Sequence, residues 1–162
     1  MRCRDYCLRV RIRKGYDRNT KYPRARFISG KHDHMAVNPK ILIVDDDRKI
    51  LGATKDILAP KGYTVRTAGN GKEGLAAVDE EEPDLVITDI SMPDMEGIEF
   101  IRKLAQRKLN IPIIAMSGNP IGKQFMQAAV LFGAVDTLSK PFTGQELTAK
   151  VNKALSLGQS DG

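Results

Sequence analysis

Five short apolar runs, each followed by a stretch with helical spacing, constrain the fold of this chain more than any other feature. The runs are Ile41-Leu42-Ile43-Val44, Tyr63-Thr64-Val65, Leu85-Val86-Ile87, Ile111-Pro112-Ile113-Ile114-Ala115-Met116 and Val135-Asp136-Thr137-Leu138. The first, third and fourth are nearly continuous and rich in branched residues, as expected of strands buried on both faces. Between them the apolar spacing changes to that of helices. After Asp47, Ile50, Ala53, Thr54, Ile57 and Leu58 share one face, and Lys61-Gly62 closes the segment. After Asn70, Leu75 and Val78 sit three apart, and an acidic stretch closed by Pro83 follows. Residues 97–107 group Ile98, Ile101, Leu104 and Ala105, and residues 121–132 group Phe125, Ala128, Ala129 and Phe132. Leu147, Val151 and Leu155 repeat every four residues after Thr143, and Glu146 completes a capping-box signature.

A strand followed by a helix, repeated five times, implies parallel strands joined by right-handed crossovers. The predicted fold is therefore α/β, a doubly wound five-stranded parallel sheet with helices on both faces. In such sheets function sits beyond the carboxyl ends of the strands. That rule directs attention to the residues after 44, 67, 88, 116 and 139.

The pattern occupies only part of the chain, and charge marks the division. The 162 residues carry 26 Lys and Arg against 20 Asp and Glu, a formal +6. Residues 1–34 hold eleven of the basic residues and three of the acidic ones, which makes that stretch +8 and the rest −2. The basic balance that would suggest nucleic acid therefore lies away from the sheet. We expect residues 1–36 to be a basic, disordered extension, 37–157 the folded domain, and 158–162 a short polar tail. Arginines interrupt every apolar run near the start, which excludes a secretory signal. No stretch approaches the roughly 18 apolar residues of a membrane span. Cys3 and Cys7 lack a second cysteine pair, and His32 and His34 are distant in sequence, so zinc-ligand spacing is absent. Tyr6, Tyr16, Tyr22 and Phe27 are the only aromatics with which this arm could stack on bases. Met35-Ala36-Val37-Asn38-Pro39 reads like the start of an independent chain, so residues 1–34 are expected to be dispensable.

The strand ends carry chemistry. Strand one runs into Asp45-Asp46-Asp47, strand three into Asp89, strand four into Ser117 and strand five into Ser139-Lys140-Pro141. Strand two ends in the turn material Ala68-Gly69-Asn70-Gly71. Singly, each has a plain explanation: Asp47 as a helix cap, Asp89 as a cap of the next segment, Ser117 as a turn residue, Lys140 as a solvated lysine. Together they place carboxylates, a hydroxyl and a cation at one rim. Converging carboxylates raise one another's pKa, and a divalent cation with oxygen ligands relieves that repulsion. A carboxylate nucleophile with Mg²⁺, lysine and hydroxyl suits phosphoryl transfer to an aspartate.

Those residues, in Ile41-Leu42-Ile43-Val44-Asp45-Asp46-Asp47, in Asp84 through Gly97, in Ile113 through Gly118 and in Lys140-Pro141-Phe142, resemble the receiver (CheY-like) domain of bacterial two-component response regulators. The match covers about residues 39–157. The resemblance implies a flavodoxin-like strand order 2-1-3-4-5 and a cytoplasmic phosphoprotein of phosphorelay signalling. It implies Asp89 as phosphoacceptor, Ser117 as the switch hydroxyl and Lys140 as the lysine that pairs with the phosphoryl group. It implies Mg²⁺ or Mn²⁺ held by Asp45, Asp46, Asp89 and the backbone carbonyl of Ser91. Asp46 is the implied direct ligand, with Asp45 acting more through water. Gly97 matches the glycine of the loop after the acceptor, and the Lys140–Pro141 bond is implied to be cis. Ser91 and Asn119 occupy positions that in the family tune acyl-phosphate lifetime. Pro60, late in the first helix, is less usual for the family. The family often places an aromatic residue three positions before the lysine. Thr137 stands there, which puts aromatic-gated switching in question and leaves phosphorylation intact.

The implied partners are a sensor histidine kinase or histidine phosphotransfer protein and a downstream protein docking on the face of helix four, strand five and helix five. No direct nucleic-acid or membrane contact is expected of the domain. It acts as a phosphoacceptor, with at most slow self-dephosphorylation, and not as an enzyme. Only residues 158–162 follow the last helix, so a single-domain regulator is expected, with a receiver fragment of a larger DNA-binding regulator as an alternative. A phosphatase of the haloacid-dehalogenase type is another, because Asp45-x-Asp47, Ser117 and Lys140 mimic its pattern. In that reading Asp89 is idle, Lys49 stands where Thr or Val is usual, and no acidic pair follows Lys140. A nucleic-acid binder using residues 1–34 and a degenerate receiver serving as scaffold complete the set.

Overall fold

A computed structural model describes residues 38–93, 95–118 and 122–157. These lie in the second of the two units into which the chain divides, Ala36–Gly162. The expectations for residues 1–36, for the tail 158–162 and for Asn119 fall outside the described residues.

The elements run β1 (Lys40–Val44), α1 (Arg48–Leu58), β2 (Thr64–Ala68), α2 (Gly71–Glu80), β3 (Leu85–Asp89), α3 (Gly97–Gln106), β4 (Ile113–Ser117), α4 (Gly122–Leu131), β5 (Asp136–Ser139) and α5 (Gly144–Leu157). All strand pairs are parallel, in the order β2-β1-β3-β4-β5. This is the predicted doubly wound α/β sheet.

Alternation along each strand divides the core in two. Ile41, Ile43, Leu85, Ile87, Ile114 and Met116 face one way and pack with Leu51 and Leu58 of α1 and Leu147 and Val151 of α5. Leu42, Val44, Val86, Ile113 and Ala115 face the other way and pack with Ala77 and Val78 of α2, Phe100, Ile101 and Leu104 of α3, and Ala129 of α4. Each large side chain buried in these layers contributes roughly 1.5–3 kcal/mol before conformational entropy is counted. Two continuous layers therefore hold the central strands rigid, and their ends form a firm rim.

The helices start where local chemistry supplies caps. Asp47 accepts from the Lys49 amide at 2.8 Å and opens α1. Asn70 accepts from the Glu73 amide, and Glu73 reaches back to the Gly69 amide, which opens α2. The predicted box at Thr143 forms: Glu146 accepts from the Thr143 amide at 2.8 Å, and Thr143 Oγ1 accepts from the Glu146 amide at 3.2 Å. These bonds satisfy amides that the first helical turn leaves open. After α1 the chain tightens into a 3-10 turn over Ala59–Lys61, and Gly62 ends it with φ +91°, a left-handed conformation glycine adopts without penalty.

Several local expectations shift. β2 extends through Arg66 and Thr67, both exposed, because it is an edge strand and most of its side chains meet water. β4 begins after Pro112, which has no amide to donate but accepts from Val86 at 3.0 Å. The inward face of α1 is Leu51, Thr54 and Leu58, and Ala53 is exposed. In α3, Phe100 occupies the core and Ala105 is exposed. Phe132 lies past the end of α4 and is 44% exposed.

Candidate functional site

Sheet register brings the rim together. Val44 pairs with Thr88, so the next residues, Asp45 and Asp89, leave neighbouring strands at one level. Asp89 pairs with Met116 and Ser117 with Ser139, so Ser117 and Lys140 emerge on the adjoining strands. The Lys140 amide donates to the Ser117 carbonyl at 2.7 Å, which ties these two strand ends. The Lys140–Pro141 bond is cis, as expected.

The structure gathers Asp45, Asp89, Ser117 and Lys140 in or near the interior. Asp45 is 1% exposed, Asp89 5% and Ser117 3%. Lys140 Nζ lies between the two carboxylates, 2.6 Å from Asp45 Oδ2 and 2.8 Å from Asp89 Oδ1. Each remaining carboxylate oxygen accepts from a backbone amide: Asp45 Oδ1 from Asp47 at 2.9 Å, and Asp89 Oδ2 from Ser91 at 2.9 Å. Both carboxylates are thus fixed in direction by one backbone bond and one shared ion pair.

Asp46, Asp47 and the Ser91 side chain stay exposed at the same rim. Among the described residues no three Asp, Glu, His or Cys side chains are gathered closely enough to hold a metal. The expected convergence of three or four carboxylates is therefore a convergence of two with a lysine between them.

Burial pushes the Asp89 carboxyl above the usual carboxylate range; Lys140 and the Ser91 amide pull it back only partly, and Asp45 adds to the upward shift. Burial alone would lower the Lys140 ammonium, but its bonds to Asp45 and Asp89 outweigh that and raise it. One cation thus serves two buried carboxylates, and Asp46, next in sequence to Asp45, adds a further acid exposed at the rim. The donors are all oxygen and the charge balance at this rim is negative. That set fits a hard divalent cation such as Mg²⁺.

The glycine after the loop has a steric reason. A Cβ at Gly97 would lie 1.9 Å from the Asp89 carbonyl oxygen and 2.8 Å from Ile90 Cα. α3 therefore starts in contact with the Asp89 peptide, and only glycine permits that approach. Sequence reasoning missed one contributor, Thr88. It is fully buried, and its hydroxyl donates to the Asp89 carbonyl at 3.0 Å. The available signal was a polar residue inside an otherwise apolar run. The phosphatase alternative gives no part to Asp89, which here is buried and ion-paired, and its second acid, Asp47, is an exposed helix cap.

Among the described residues no helix is long and apolar enough to cross a membrane. A family model of the response regulator receiver domain matches residues 41–152. The alkaline phosphatase synthesis transcriptional regulatory protein PhoP of Bacillus subtilis is 37% identical over 120 residues, covering 74% of this chain and 49% of PhoP. The DNA-binding transcriptional regulator NtrC of Salmonella typhimurium is 37% identical over 119 residues, covering 72% of this chain and 24% of NtrC. The crystal structure of a CheY-like response regulator receiver domain protein from Methanospirillum hungatei superimposes with a TM-score of 0.72 at 34% identity, covering 77% of this chain and 99% of that one. The chain spans about half the length of PhoP and about a quarter of NtrC.

Proposed function

Because the chain belongs to the response regulator receiver domain family of two-component systems, we propose that Asp89 takes a phosphoryl group from the phosphohistidine of a sensor kinase or histidine phosphotransfer protein. The observation that carries this reading is the buried Asp89 carboxylate, held 2.8 Å from Lys140 at the carboxyl end of β3. An Asp89 oxygen attacks phosphorus and the O–P bond forms as the P–N bond breaks. The leaving imidazole keeps the electron pair. The product is an acyl phosphate on Asp89. Positioning and charge neutralisation do most of the work in such a transfer. The Ser91 amide holds Oδ2 and fixes the carboxylate plane.

Asp45, Asp46, Asp89 and the Ser91 carbonyl would hold Mg²⁺. When bound, the cation offsets the negative charge of the phosphoryl oxygens. Lys140 supplies the second positive charge and follows the phosphoryl oxygens once the carboxylate is esterified. The Ser117 hydroxyl donates to them from the neighbouring strand. Because Lys140 and Ser117 are joined through the backbone, their movement shifts the population of α4, β5 and α5 conformers. Val130, Leu131, Phe132 and Val135 are exposed around the end of α4 and the start of β5 and support a protein as the recipient of that signal. The domain thus acts as a phosphoacceptor that docks or relays.

The test is labelling from acetyl phosphate and from a phosphorylated kinase in the presence of Mg²⁺. The wild-type chain should gain one alkali-labile phosphoryl group on the peptide containing Asp89. Asp89→Asn should gain none; label on that variant would refute the assignment.

A further inference from the structure

Strand β3 is buried along its whole length and reads Leu-Val-Ile-Thr-Asp. Its only polar side chains are Asp89 and the residue before it. Thr88 sits between Val44 of β1 and Ala115 of β4 in the register of the sheet. Successive side chains on a strand point to opposite faces, so Thr88 lies on the face opposite the Asp89 carboxylate. That is the face covered by α2, α3 and α4, where its register neighbours Val44 and Ala115 belong to the apolar core. A hydroxyl there without a partner is costly. Its partner is the Asp89 carbonyl oxygen, at 3.0 Å.

The same carbonyl is confined by Gly97, where a Cβ would approach to 1.9 Å. Two further bonds fix this segment: the Ile90 amide, in the same peptide as the Asp89 carbonyl, donates to the Met116 carbonyl at 2.9 Å, and the carbonyl of the next peptide, that of Ile90, accepts from the Gly97 amide at 2.9 Å. The peptide that carries the Asp89 side chain is therefore held at its carbonyl by Thr88, bounded by Gly97 and anchored downstream to β4. Rotation of that peptide would swing the carboxylate away from Lys140 and the Ser91 amide.

We propose that Thr88 is a positioning residue for phosphoryl transfer: its hydroxyl fixes the Asp89 peptide, and through it the direction of the attacking carboxylate. The inference rests on the reading of Asp89 as phosphoacceptor. A misplaced nucleophile slows the chemical step without weakening capture of the donor. Removing the hydroxyl while keeping the shape should therefore reduce the saturated rate and leave the half-saturating donor concentration unchanged.

The experiment compares the wild-type chain, Thr88→Val and Thr88→Ser with acetyl phosphate and Mg²⁺. Phosphorylation rate is followed across donor concentration, and thermal midpoints are recorded alongside. Thr88→Val should lower the midpoint modestly, because the buried hydrogen bond to the Asp89 carbonyl is lost, and slow the saturated rate about tenfold, with the half-saturating concentration unchanged. Thr88→Ser, which restores the donor, should return within about twofold of wild type. Equal saturated rates for wild type and Thr88→Val would overturn the role of Thr88 while leaving Asp89 as acceptor. So would slowing by Thr88→Ser as large as by Thr88→Val, since shape and not the hydroxyl would then matter. Should Thr88→Val fail to fold, Thr88→Cys, of similar size and a weaker donor, makes the same comparison. Absence of label on wild-type Asp89 would instead overturn the phosphoacceptor reading, and this inference with it.

Discussion

Replacing Lys140 with methionine tests the electrostatics of the site most directly. The substitution keeps most of the aliphatic stem and removes the ammonium. Lys140 Nζ is 2.6 Å from Asp45 Oδ2 and 2.8 Å from Asp89 Oδ1, and its side chain is 16% exposed. Asp45 and Asp89 are almost wholly buried, so water cannot replace the lost partner. Breaking a buried ion pair from one side costs about 3–5 kcal/mol, because the remaining charge stays buried and unpaired. For a domain of this size that lowers the thermal midpoint by on the order of 10 °C. The deficit has a definite pH dependence. Burial already holds Asp89 above its ordinary value of 3.8, and Lys140 is the main group pulling it down. Without Lys140 the folded carboxyl rises further, so the folded state binds protons that the unfolded chain has released. Stability of the variant therefore rises as pH falls toward the unfolded value, and its deficit against wild type narrows. Urea unfolding followed by circular dichroism, with chelator present, at several pH values from neutral to acidic reads both quantities. The double variant carrying Asp89→Asn as well should recover much of the loss. A deficit at neutral pH below about 1 kcal/mol, or one that does not change with pH, would refute the argument.

Three further outcomes follow from other residues. Gly97→Ala should lose roughly 3 kcal/mol or more and slow labelling of Asp89, because the added Cβ meets the Asp89 carbonyl and α3 or the β3 terminus must move; a wild-type melting curve would contradict the contact. Thr54→Val should stabilise the domain by about 1 kcal/mol in urea, since Thr54 Oγ1 is buried with no hydrogen-bond partner among the described residues and sits on the inward face of α1; a loss of stability would show that the hydroxyl is satisfied. Millimolar Mg²⁺ should raise the wild-type melting temperature, by about 2.7 kcal/mol of stability at a hundredfold excess over the dissociation constant, and should do so far less for Asp46→Asn; equal responses would remove Asp46 from the metal set.

Most of the fold was legible because the central strands are apolar on both faces. β1, β3 and β4 could be placed from Ile41–Val44, Leu85–Ile87 and Ile111–Met116 without help from tertiary structure, although β4 itself starts only after Pro112. β2 was placed only approximately, because an edge strand meets solvent and its Arg66 and Thr67 carry no apolar signal. Helix faces were less secure than helix positions. Ala53 and Ala105 satisfy the helical period as well as Leu51 and Phe100 do, yet the larger side chains fill the layer and the alanines face water. The site residues were legible one strand end at a time, since topology alone places every strand terminus at one rim. Their partners were not. That a single lysine is shared by Asp45 and Asp89 while Asp46 stays exposed depends on side-chain direction. The bond from Thr88 to the Asp89 carbonyl likewise depends on how the end of β3 meets Gly97, a contact between elements that no local pattern encodes.

The same arrangement implies that Asp89, the proposed phosphoacceptor, opposes the stability of the domain that carries it. In the folded state burial outweighs the help Asp89 receives from Lys140 and Ser91, so its carboxyl is raised. An acid whose folded pKa exceeds its unfolded one destabilises the fold at pH values above both, and the effect vanishes as pH falls below the unfolded value. Asp89→Asn carries no charge to desolvate, although its single oxygen accepts from only one of Lys140 and the Ser91 amide, which the wild-type carboxylate serves with Oδ1 and Oδ2 separately. It also leaves Lys140 with Asp45 as its single ionised partner, which balances that pair. The variant should therefore be more stable than wild type at neutral pH without divalent cation, and the gain should fade as the pH approaches 4. Mg²⁺ held at the proposed site would relieve the same repulsion in wild type, so adding it should close the gap from the other side. If Asp89→Asn were less stable than wild type at neutral pH, the carboxylate would be stabilising its own site, and the balance drawn here between burial and Lys140 would be reversed.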